Sequence, residues 1–412
     1  MGLHIPPALR HRRFFLLWLG LIISLAGSQM QVWALFWHIR TLTPHPIALG
    51  GVGLARIIPI ILFSLIGGAV ADSLNRRKLM FLTQTVLALV AVSLAVLTFN
   101  GRITLWHIYL LTAIQATATA FDGPARQSLV PNLVPARDLP NAFSLNSIAS
   151  QVGAILGPAA SGFVIAQWGQ AYTYLINAVS FLAVILALIL MGNVPQQADI
   201  NRVSGVNLPV IREGIDFIIH HPMIFSTMLL DFFATFFSSA NTLLPIYTRD
   251  VLHVGVIEYG WLSAAQSVGA VTAGLIISQL REVRHQGPVF ITSLVIFGLA
   301  TILFGSARLV WLAFLSLTLI GAADAVNTII RNTIRQLQTP DYIRGRMVSI
   351  NQIFFMGGPQ LGEVESGVVA QLIGAPLAII SGGIGCLIAV AWTVKRWPFL
   401  LRYNGDEPIV AG

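Results

Sequence analysis

The sequence predicts an all-α membrane protein with twelve transmembrane helices in two six-helix halves. Composition is the first observation, because 56% of the 412 residues are apolar and only 10% are charged, whereas soluble domains carry about 25% charged residues. The other two observations are a series of twelve apolar runs and a sequence repeat between the halves. Together they exclude a soluble enzyme, a disordered scaffold and a coiled coil.

Each apolar run is long enough to cross a bilayer, which takes about 20 mostly apolar residues in a helix. Breaker residues such as Asn100-Gly101 and Gly287-Pro288 separate the runs. The runs lie at residues 14–39, 47–71, 79–99, 105–125, 141–167 and 171–191 in the first half, and at 223–248, 258–280, 288–307, 309–330, 347–372 and 375–394 in the second.

The runs define three segments of the chain. An N-terminal six-helix bundle covers residues 1–191, a connector covers 192–222, and a C-terminal six-helix bundle covers 223–412. Within the connector, apolar residues recur at helical spacing between Leu208 and Ile219, with charged residues on the other face. This predicts a short amphipathic helix along the inner membrane surface, which is either a passive linker or a regulatory element.

Basic residues are distributed unevenly between the two sides of the membrane. With the N-terminus in the cytoplasm, 19 of the 24 Lys and Arg fall in cytoplasmic segments, including Arg331 and Arg335, and four fall in outer segments. Arg56 remains inside a span. Because cytoplasmic loops carry an excess of positive charge, we expect a multi-pass protein of the bacterial inner membrane with both termini in the cytoplasm. This bias explains the net charge of +8 without a nucleic-acid partner.

The two halves of the chain repeat each other. Ala125-Arg126-Gln127 matches Ile334-Arg335-Gln336, and Ser144-Leu145-Asn146 matches Ser349-Ile350-Asn351. The matching segments lie in the fourth and fifth runs and in the tenth and eleventh runs. Parallel repeats of this kind occur in transporters that bind substrate near the midplane. The repeat therefore predicts two halves that rock about a shared site, and chance similarity between glycine-rich helices is the alternative.

The connection after the second run has the composition of a tight, charged turn. Its small residues let two helix ends approach, and its acid can face a helix N-terminus or an arginine. The connection resembles the signature loop of the major facilitator superfamily at Gly68, Asp72, Arg76 and Arg77, and departs from it at Ser73 and Asn75. The resemblance implies that Asp72 docks near residues 345–349, with Arg126 as an extra partner, and stabilises the outward-facing state. A plain anchoring loop is the alternative.

The fifth run carries closely spaced glycines and a proline, at Gly153, Gly157, Pro158 and Gly162. Glycines four residues apart let helices pack backbone to backbone, and neighbouring groups can satisfy the carbonyl that a proline releases. The run resembles the antiporter motif of exporters in the same superfamily, with Ser161 and Ser144 as departures. The resemblance implies export, although a pure packing role would serve an importer equally well.

Further segments narrow the resemblance to one branch of the superfamily. The segments 121–127, 177–181 and 338–346 resemble the branch that contains the enterobactin exporter and macrolide efflux proteins. The branch implies the major facilitator fold and a secondary active transporter that exports small amphipathic molecules, such as drugs, macrolides or siderophores, by proton antiport with alternating access. It implies no cofactor other than the proton gradient. The implied partners are a small-molecule substrate, the lipid bilayer and protons, and we expect a monomer.

Acidic residues inside the runs are candidates for proton coupling, namely Asp231, Asp324, Glu363 and Glu365. An Asp near a span centre costs roughly 2.5–3.5 kcal/mol to insert, so such residues are retained for function. Glu363 and Glu365 lie about 200° apart around a helix and cannot share one face. Asp122 and Glu258 are predicted to be interfacial. Each acid has a static ion pair as its alternative role, with Arg56 as a partner for one of them.

Polar and aromatic residues within the runs are candidates for a substrate cavity, namely Gln29, Trp33, Arg56, Gln115, Asn146, Phe232, Asn327 and Gln360. Many of these are expected to form interhelical hydrogen bonds instead. The sequence has no phosphate-binding glycine-rich loop and no histidine cluster with metal-ligand spacing, so it predicts neither ATP-driven transport nor a metal site. The rival classes are an integral membrane enzyme, a non-transporting sensor and an importer.

Overall fold

A computed structural model of the chain describes residues 6–195, 216–238, 240–279, 283–339 and 344–405. In that part of the chain every long element is a helix and no strand occurs. The long helices are α1 (Arg12–Leu42), α2 (Ile47–Ser73), α3 (Arg76–Phe99), α4 (Leu105–Leu129), α5 (Leu139–Trp168), α6 (Gln170–Leu190), α7 (Pro222–Phe237), α8 (Val256–Ser278), α9 (Gln286–Ser306), α10 (Val310–Leu337), α11 (Arg344–Ile373) and α12 (Ala375–Arg396).

Each predicted run corresponds to one helix, and the largest differences in where the helix ends occur in two runs. The run 223–248 is not continuous, since α7 ends at Phe237 and is followed by a 3₁₀ turn, a short α-helical turn and a π-helical turn at Tyr247–Val251. Pro245 explains why an α-helix does not continue through residues 241–245, because proline has no N–H to donate and clashes with the carbonyl four residues before it. Helix α10 extends to Leu337, seven residues beyond the predicted end at residue 330.

Among the described residues, nine helical segments are long and apolar enough to cross a membrane. They contain α1, α3, α5, α6, α7, α8, α9, α10 and α12. Helix α2 contributes a shorter apolar stretch, Ile47–Phe63. Five exposed tryptophans lie near helix ends, at Trp106, Trp168, Trp261, Trp311 and Trp392. Tryptophan favours the level of the lipid headgroups, so these side chains suit a membrane-embedded surface.

The chain divides into two compact units. The first unit comprises Met1–Leu42 and Ile58–Val206. In it, α1 packs against α5 and α6, and α3 packs against α4 and α6. Its main apolar cluster includes Phe14, Met80 and Leu188, which are fully buried. Interhelical contact is very close where Gly20 of α1 meets the backbone of α6, as expected when small residues line a helix interface.

The second unit comprises Thr43–Ile57 and Asn207–Gly412, so the first part of α2 belongs to it. In this unit α8 packs against α10, α9 packs against α10 and α12, and α7 packs against α11 and α12. A Cβ atom at Gly269 would collide with the backbone of Thr318, and one at Gly321 would collide with Gln266. These two glycines therefore permit the close crossing of α8 and α10.

A short segment after α12 contacts the start of α9 and the end of α10 in the second unit. The chain forms a 3₁₀ helix at Pro398–Arg402, and Leu400 is fully buried. The backbone N–H of Gly287, at the start of α9, donates to the carbonyl of Tyr403 at 2.9 Å. Gln338, just after α10, donates to the Tyr403 hydroxyl at 3.3 Å. The segment thus joins the start of α9 to the end of α10.

Most of the predicted connector helix lies outside the described residues. Residues 216–220 are helical, and residues 196–215 are not described. The predicted boundaries of the two bundles and the connector, at residues 191–192 and 222–223, stay a prediction.

Candidate functional site

Helix α10 carries a stripe of polar residues along one face. Asp324, Asn327, Arg331 and Arg335 follow each other at spacings of three, four and four residues, which places them on the same side of the helix. Asn327, Arg331 and Arg335 are each at most 2% exposed, and Asp324 is partly buried. Because charge is costly in lipid, an apolar spanning helix that carries such residues must turn them into the protein.

Asp231 of α7 binds this stripe. Its side chain is 5% exposed and forms an ion pair through Oδ1 with Nη1 of Arg331. The same oxygen accepts a hydrogen bond from Nδ2 of Asn327 at 3.2 Å. The placement of Asp231 agrees with the ion pair given as its alternative role, and its predicted role in proton coupling stays a prediction. Asp231 and Arg331 therefore form a charge-compensated pair between α7 and α10.

The prediction that Arg331 and Arg335 belong to the cytoplasmic loop charges is wrong. Both lie in the last two turns of α10 and are among the most completely buried side chains of the described residues. The predicted span ended at residue 330, but the helix continues beyond Arg331 and buries the apolar side chain of Ile334. The spacing of Asp324, Arg331 and Arg335 was the signal that would have revealed the polar face.

A second ion pair in the same unit joins α2 to α11. Nη1 of Arg56 lies 3.4 Å from Oε1 of Glu363, and both side chains are mostly buried. Gly53 permits this approach, because a Cβ atom there would lie 2.9 Å from the Cβ of Glu363. Glu365 instead accepts a 3.4 Å hydrogen bond from the neighbouring Ser366. Arg56 is therefore the ion-pair partner of Glu363, which agrees with the alternative role predicted for these acids.

Asp122 of α4 is buried at 6% exposure, and its predicted position at the membrane interface stays a prediction. Its Oδ1 accepts hydrogen bonds from the Thr83 hydroxyl at 2.8 Å and from Nε2 of Gln84 at 3.0 Å. Both donors come from α3, so their distance along the chain hid them from sequence reasoning. Glu258 lies at the start of α8, where its Oε2 accepts from the backbone N–H of Gly255 at 3.0 Å, as a capping side chain does.

Several predicted cavity residues take part in helix packing. Gln31 of α1 donates to Oε1 of Gln115 at 2.8 Å and accepts from Nδ2 of Asn177 at 2.7 Å, which links α1, α4 and α6. The partly buried ring of Phe232 stacks on Phe236 with 6.0 Å between centroids. The remaining predicted residues Gln29, Trp33 and Gln360 are partly buried. Gln115 is thus engaged in a contact between helices, and its predicted place in a substrate cavity stays a prediction.

The two basic residues of the signature loop bind helix ends in the first unit. Arg76 donates to the carbonyl of Ser128 at 3.2 Å and to Oδ1 of Asn132 at 3.0 Å. Arg77 donates to the carbonyl of Leu188 at 2.7 Å. These carbonyls lie in the last turns of α4 and α6, where cations are favoured by the helix dipole. The side chain of Asp72 and the surroundings of Gly68 lie outside the described part, so the docking of Asp72 stays a prediction.

The antiporter motif brings α5 against α1. A Cβ atom at Gly153 would lie 3.0 Å from the carbonyl carbon of Leu25, and one at Gly157 would lie 2.8 Å from the carbonyl oxygen of Ala26. Pro158 is inside α5, and Gly162 is buried. Because glycine has no side chain, the backbones of α5 and α1 are in contact at these positions. The structural role of this motif is therefore close helix packing.

A cavity of about 250 Å³ lies beside this crossing in the first unit. It is lined by Leu21 and Leu25 of α1, Arg126 and Gln127 of α4, and Phe143, Asn146, Ser147 and Ser150 of α5. Of the predicted cavity residues, Asn146 is the one found in this lining. Apolar and polar side chains meet here, as in sites that bind amphipathic small molecules.

Relatives with curated names share most of their length with this chain. The staphyloferrin A transporter of Staphylococcus aureus is 28% identical over 93% of this chain and 94% of its own. The multidrug efflux pump Tap of Mycolicibacterium fortuitum is 24% identical, covering 85% and 87%. The enterobactin exporter EntS of Shigella boydii is also 24% identical, covering 84% and 82%.

The fold is shared with a solved transporter. A bacterial homologue of the human lysosomal transporter Spinster superposes with a TM-score of 0.75 at 16% identity, covering 95% of this chain and 98% of that one. A family model described as transmembrane secretion effector matches residues 5–399. The protein is therefore a multi-pass membrane transporter rather than an enzyme, and the chain belongs to the transmembrane secretion effector family of the major facilitator superfamily.

Proposed function

We propose that the protein exports small amphipathic molecules across the inner membrane of a bacterial cell by proton antiport with alternating access. The names of two full-length relatives, a multidrug efflux pump and an enterobactin exporter, support the outward direction. The resemblance of the α5 glycines to the antiporter motif supports it as well. In this proposal the protein acts as a monomer with both termini in the cytoplasm, and the proton gradient is its energy source.

The pairing of Asp231 with Arg331 inside spanning helices carries the proposal of proton coupling. A buried carboxylate is stable while its cation is in place, because removal of one partner leaves an uncompensated charge. If transport separates the pair, Asp231 must bind a proton to remain in a low-dielectric setting. Proton uptake and release at Asp231 would then follow the opening and closing of the pair.

Other acidic residues of the second unit have further roles in this proposal. Asp324 lies one turn before Asn327 on the polar face of α10, so it is the group that we assign to proton delivery toward Asp231. Glu363 and Arg56 form a separate pair between α2 and α11. We assign this pair to stabilising one conformation of the transporter, and Glu365 remains a further candidate for coupling.

The test uses everted membrane vesicles energised by respiration, with a fluorescent reporter of luminal pH. Addition of an exported amphipathic dye, drawn from ethidium, rhodamine 6G and carboxyfluorescein, should release protons from the lumen. Compared at equal amounts of folded protein, Asp231→Asn should abolish dye uptake and proton release, because the amide cannot exchange a proton. The matched control is Asp216→Asn, whose side chain is 73% exposed, and it should behave like the wild type.

Two results would contradict the proposal. Dye uptake by wild-type vesicles that persists after an uncoupler collapses the gradient would exclude proton antiport. Uptake no greater than in vesicles without the protein, for all three dyes, would exclude export of this class of molecule. Full coupling in Asp231→Asn would move the proton site to another acid, of which Asp324→Asn is the next variant to measure.

A further inference from the structure

We infer that the cavity of the first unit binds an anionic group of the exported molecule and that Arg126 recognises it. The inference rests on the proposed export of amphipathic molecules and names their class: amphipathic acids rather than amphipathic cations. Among the described residues that line the cavity, Arg126 is the one with a formal charge. A guanidinium group is the side chain best suited to bind carboxylate, sulfonate or phosphate, because its planar donors match two acceptor oxygens.

The apolar part of the lining strengthens an electrostatic contact. Leu21, Leu25 and Phe143 provide apolar surface around Arg126, which is itself partly buried. Where water is partly excluded, the attraction between opposite charges is larger than in bulk solvent. The same surface can cover the apolar body of the ligand. A cationic ligand would meet repulsion from Arg126 and find no acid in this described lining.

Asn146 gives an independent indication of a ligand. Its Oδ1 is buried and has no hydrogen-bond donor among the described residues, although buried polar atoms are nearly always paired. Asn146 lines the cavity, and the nearby Ser150 hydroxyl donates elsewhere, to the Asn146 carbonyl at 3.1 Å. A hydroxyl or N–H on the ligand would satisfy Oδ1. We therefore expect an acid that also carries a hydrogen-bond donor.

The sequence repeat shows how Arg126 differs from its counterpart. Arg335 occupies the matching position in α10 and is 2% exposed, inside the polar stripe of the second unit. Arg126 is partly exposed and borders open volume instead. The duplicated arginine thus packs within the protein in one half and lines a cavity in the other. This asymmetry assigns ligand binding to the first unit.

The test compares two probes that both lack a hydrogen-bond donor, 2-naphthylacetate and its methyl ester, which differ by one negative charge and one methyl group. Binding of each is measured by equilibrium dialysis against the full-length protein in nanodiscs, and the signal from protein-free nanodiscs is subtracted. The wild type should bind the acid about 10- to 100-fold more tightly than the ester, as expected for a charge-assisted hydrogen bond. Arg126→Gln should bind the two probes equally, and Arg126→Lys should keep part of the preference.

Arg102→Gln serves as the matched control, since Arg102 is exposed in the loop between α3 and α4, and it should keep the full preference. Equal affinity of the wild type for both probes, including no binding of either, would overturn the inference. An unchanged preference in Arg126→Gln would overturn it too, and would favour pairing of Arg126 with Asp72. Because the assay needs no proton gradient, a failure of proton antiport leaves this result intact, and the two proposals fail separately.

Discussion

Removing Arg331 should destabilise the protein strongly, and less so at low pH. In Arg331→Met the carboxylate of Asp231, whose side chain is 5% exposed, loses its cation and can stay buried only with a proton bound. Protonating a carboxyl group of ordinary pKa 3.9 costs about 4 kcal/mol at pH 7 and about 1.5 kcal/mol at pH 5. The first value agrees with the roughly 3–5 kcal/mol measured when one partner of a buried pair is removed.

The companion variants complete a double-mutant cycle. Asp231→Asn leaves the Arg331 cation buried without its anion, so it should cost about 3–5 kcal/mol at both pH values. The double variant Asp231→Asn/Arg331→Met leaves neither charge and should cost at least about 2 kcal/mol less than the sum of the single variants. Arg137→Met is the control, since that side chain is 84% exposed, and it should stay within about 0.5 kcal/mol of the wild type.

The assay is unfolding in mixed micelles by titration with SDS, followed by helical circular dichroism at pH 7 and pH 5. The free energy of unfolding is compared between variants at each pH. The reasoning is refuted if the costs of the two single variants simply add, or if the cost of Arg331→Met is the same at both pH values. Either result would mean that Asp231 and Arg331 do not depend on each other for burial.

Three further predictions use the same unfolding assay. Gly157→Ala should lower the free energy of unfolding by about 1–3 kcal/mol, because the added methyl group overpacks against α1. Gly123→Ala is the control and should be neutral or stabilising, since no atom lies within 4 Å of its Cβ position. Equal effects of the two variants would argue against the close crossing of α1 and α5. Asp122→Leu should lower the free energy of unfolding by about 1–3 kcal/mol, because Gln84 loses its hydrogen-bond acceptor. Asp122→Asn keeps a carbonyl oxygen and should cost clearly less. The reverse order would contradict the hydrogen bond between Gln84 and Asp122. Gln31→Met should cost about 2 kcal/mol or more, because it leaves two amide groups unpaired, and a cost below about 0.5 kcal/mol would mean that the three-helix network is not formed.

The helices were predictable because lipid imposes a simple condition on sequence. A spanning segment must be apolar over about 20 residues, and breaker residues mark its ends, so all twelve runs correspond to helices. The errors arise where that condition does not apply. Pro245 lies in an apolar stretch and breaks the helix without changing hydropathy. Arg331 and Arg335 lower the hydropathy of α10 without ending it, because they are buried in protein rather than exposed to lipid.

The candidate sites were only partly predictable, since their partners come from distant parts of the chain. Asp231 was identified by its cost in a span, but Arg331 lies 100 residues later and was assigned to a loop. The donors to Asp122 are on another helix, at Thr83 and Gln84. Local patterns find a lone charge in an apolar run. They do not reveal whether that charge is paired, exposed to a cavity or held by neutral donors.

The segment that follows α12 has a practical consequence for handling the protein. Tyr403 accepts one hydrogen bond from Gly287 and another from Gln338. The residues after Arg396 therefore connect the start of α9 to the end of α10 and contribute to the folded structure. An affinity tag should therefore be attached beyond Gly405. Deletion from Trp397 onward would remove buried Leu400 and should lower the yield of folded protein after solubilisation in detergent.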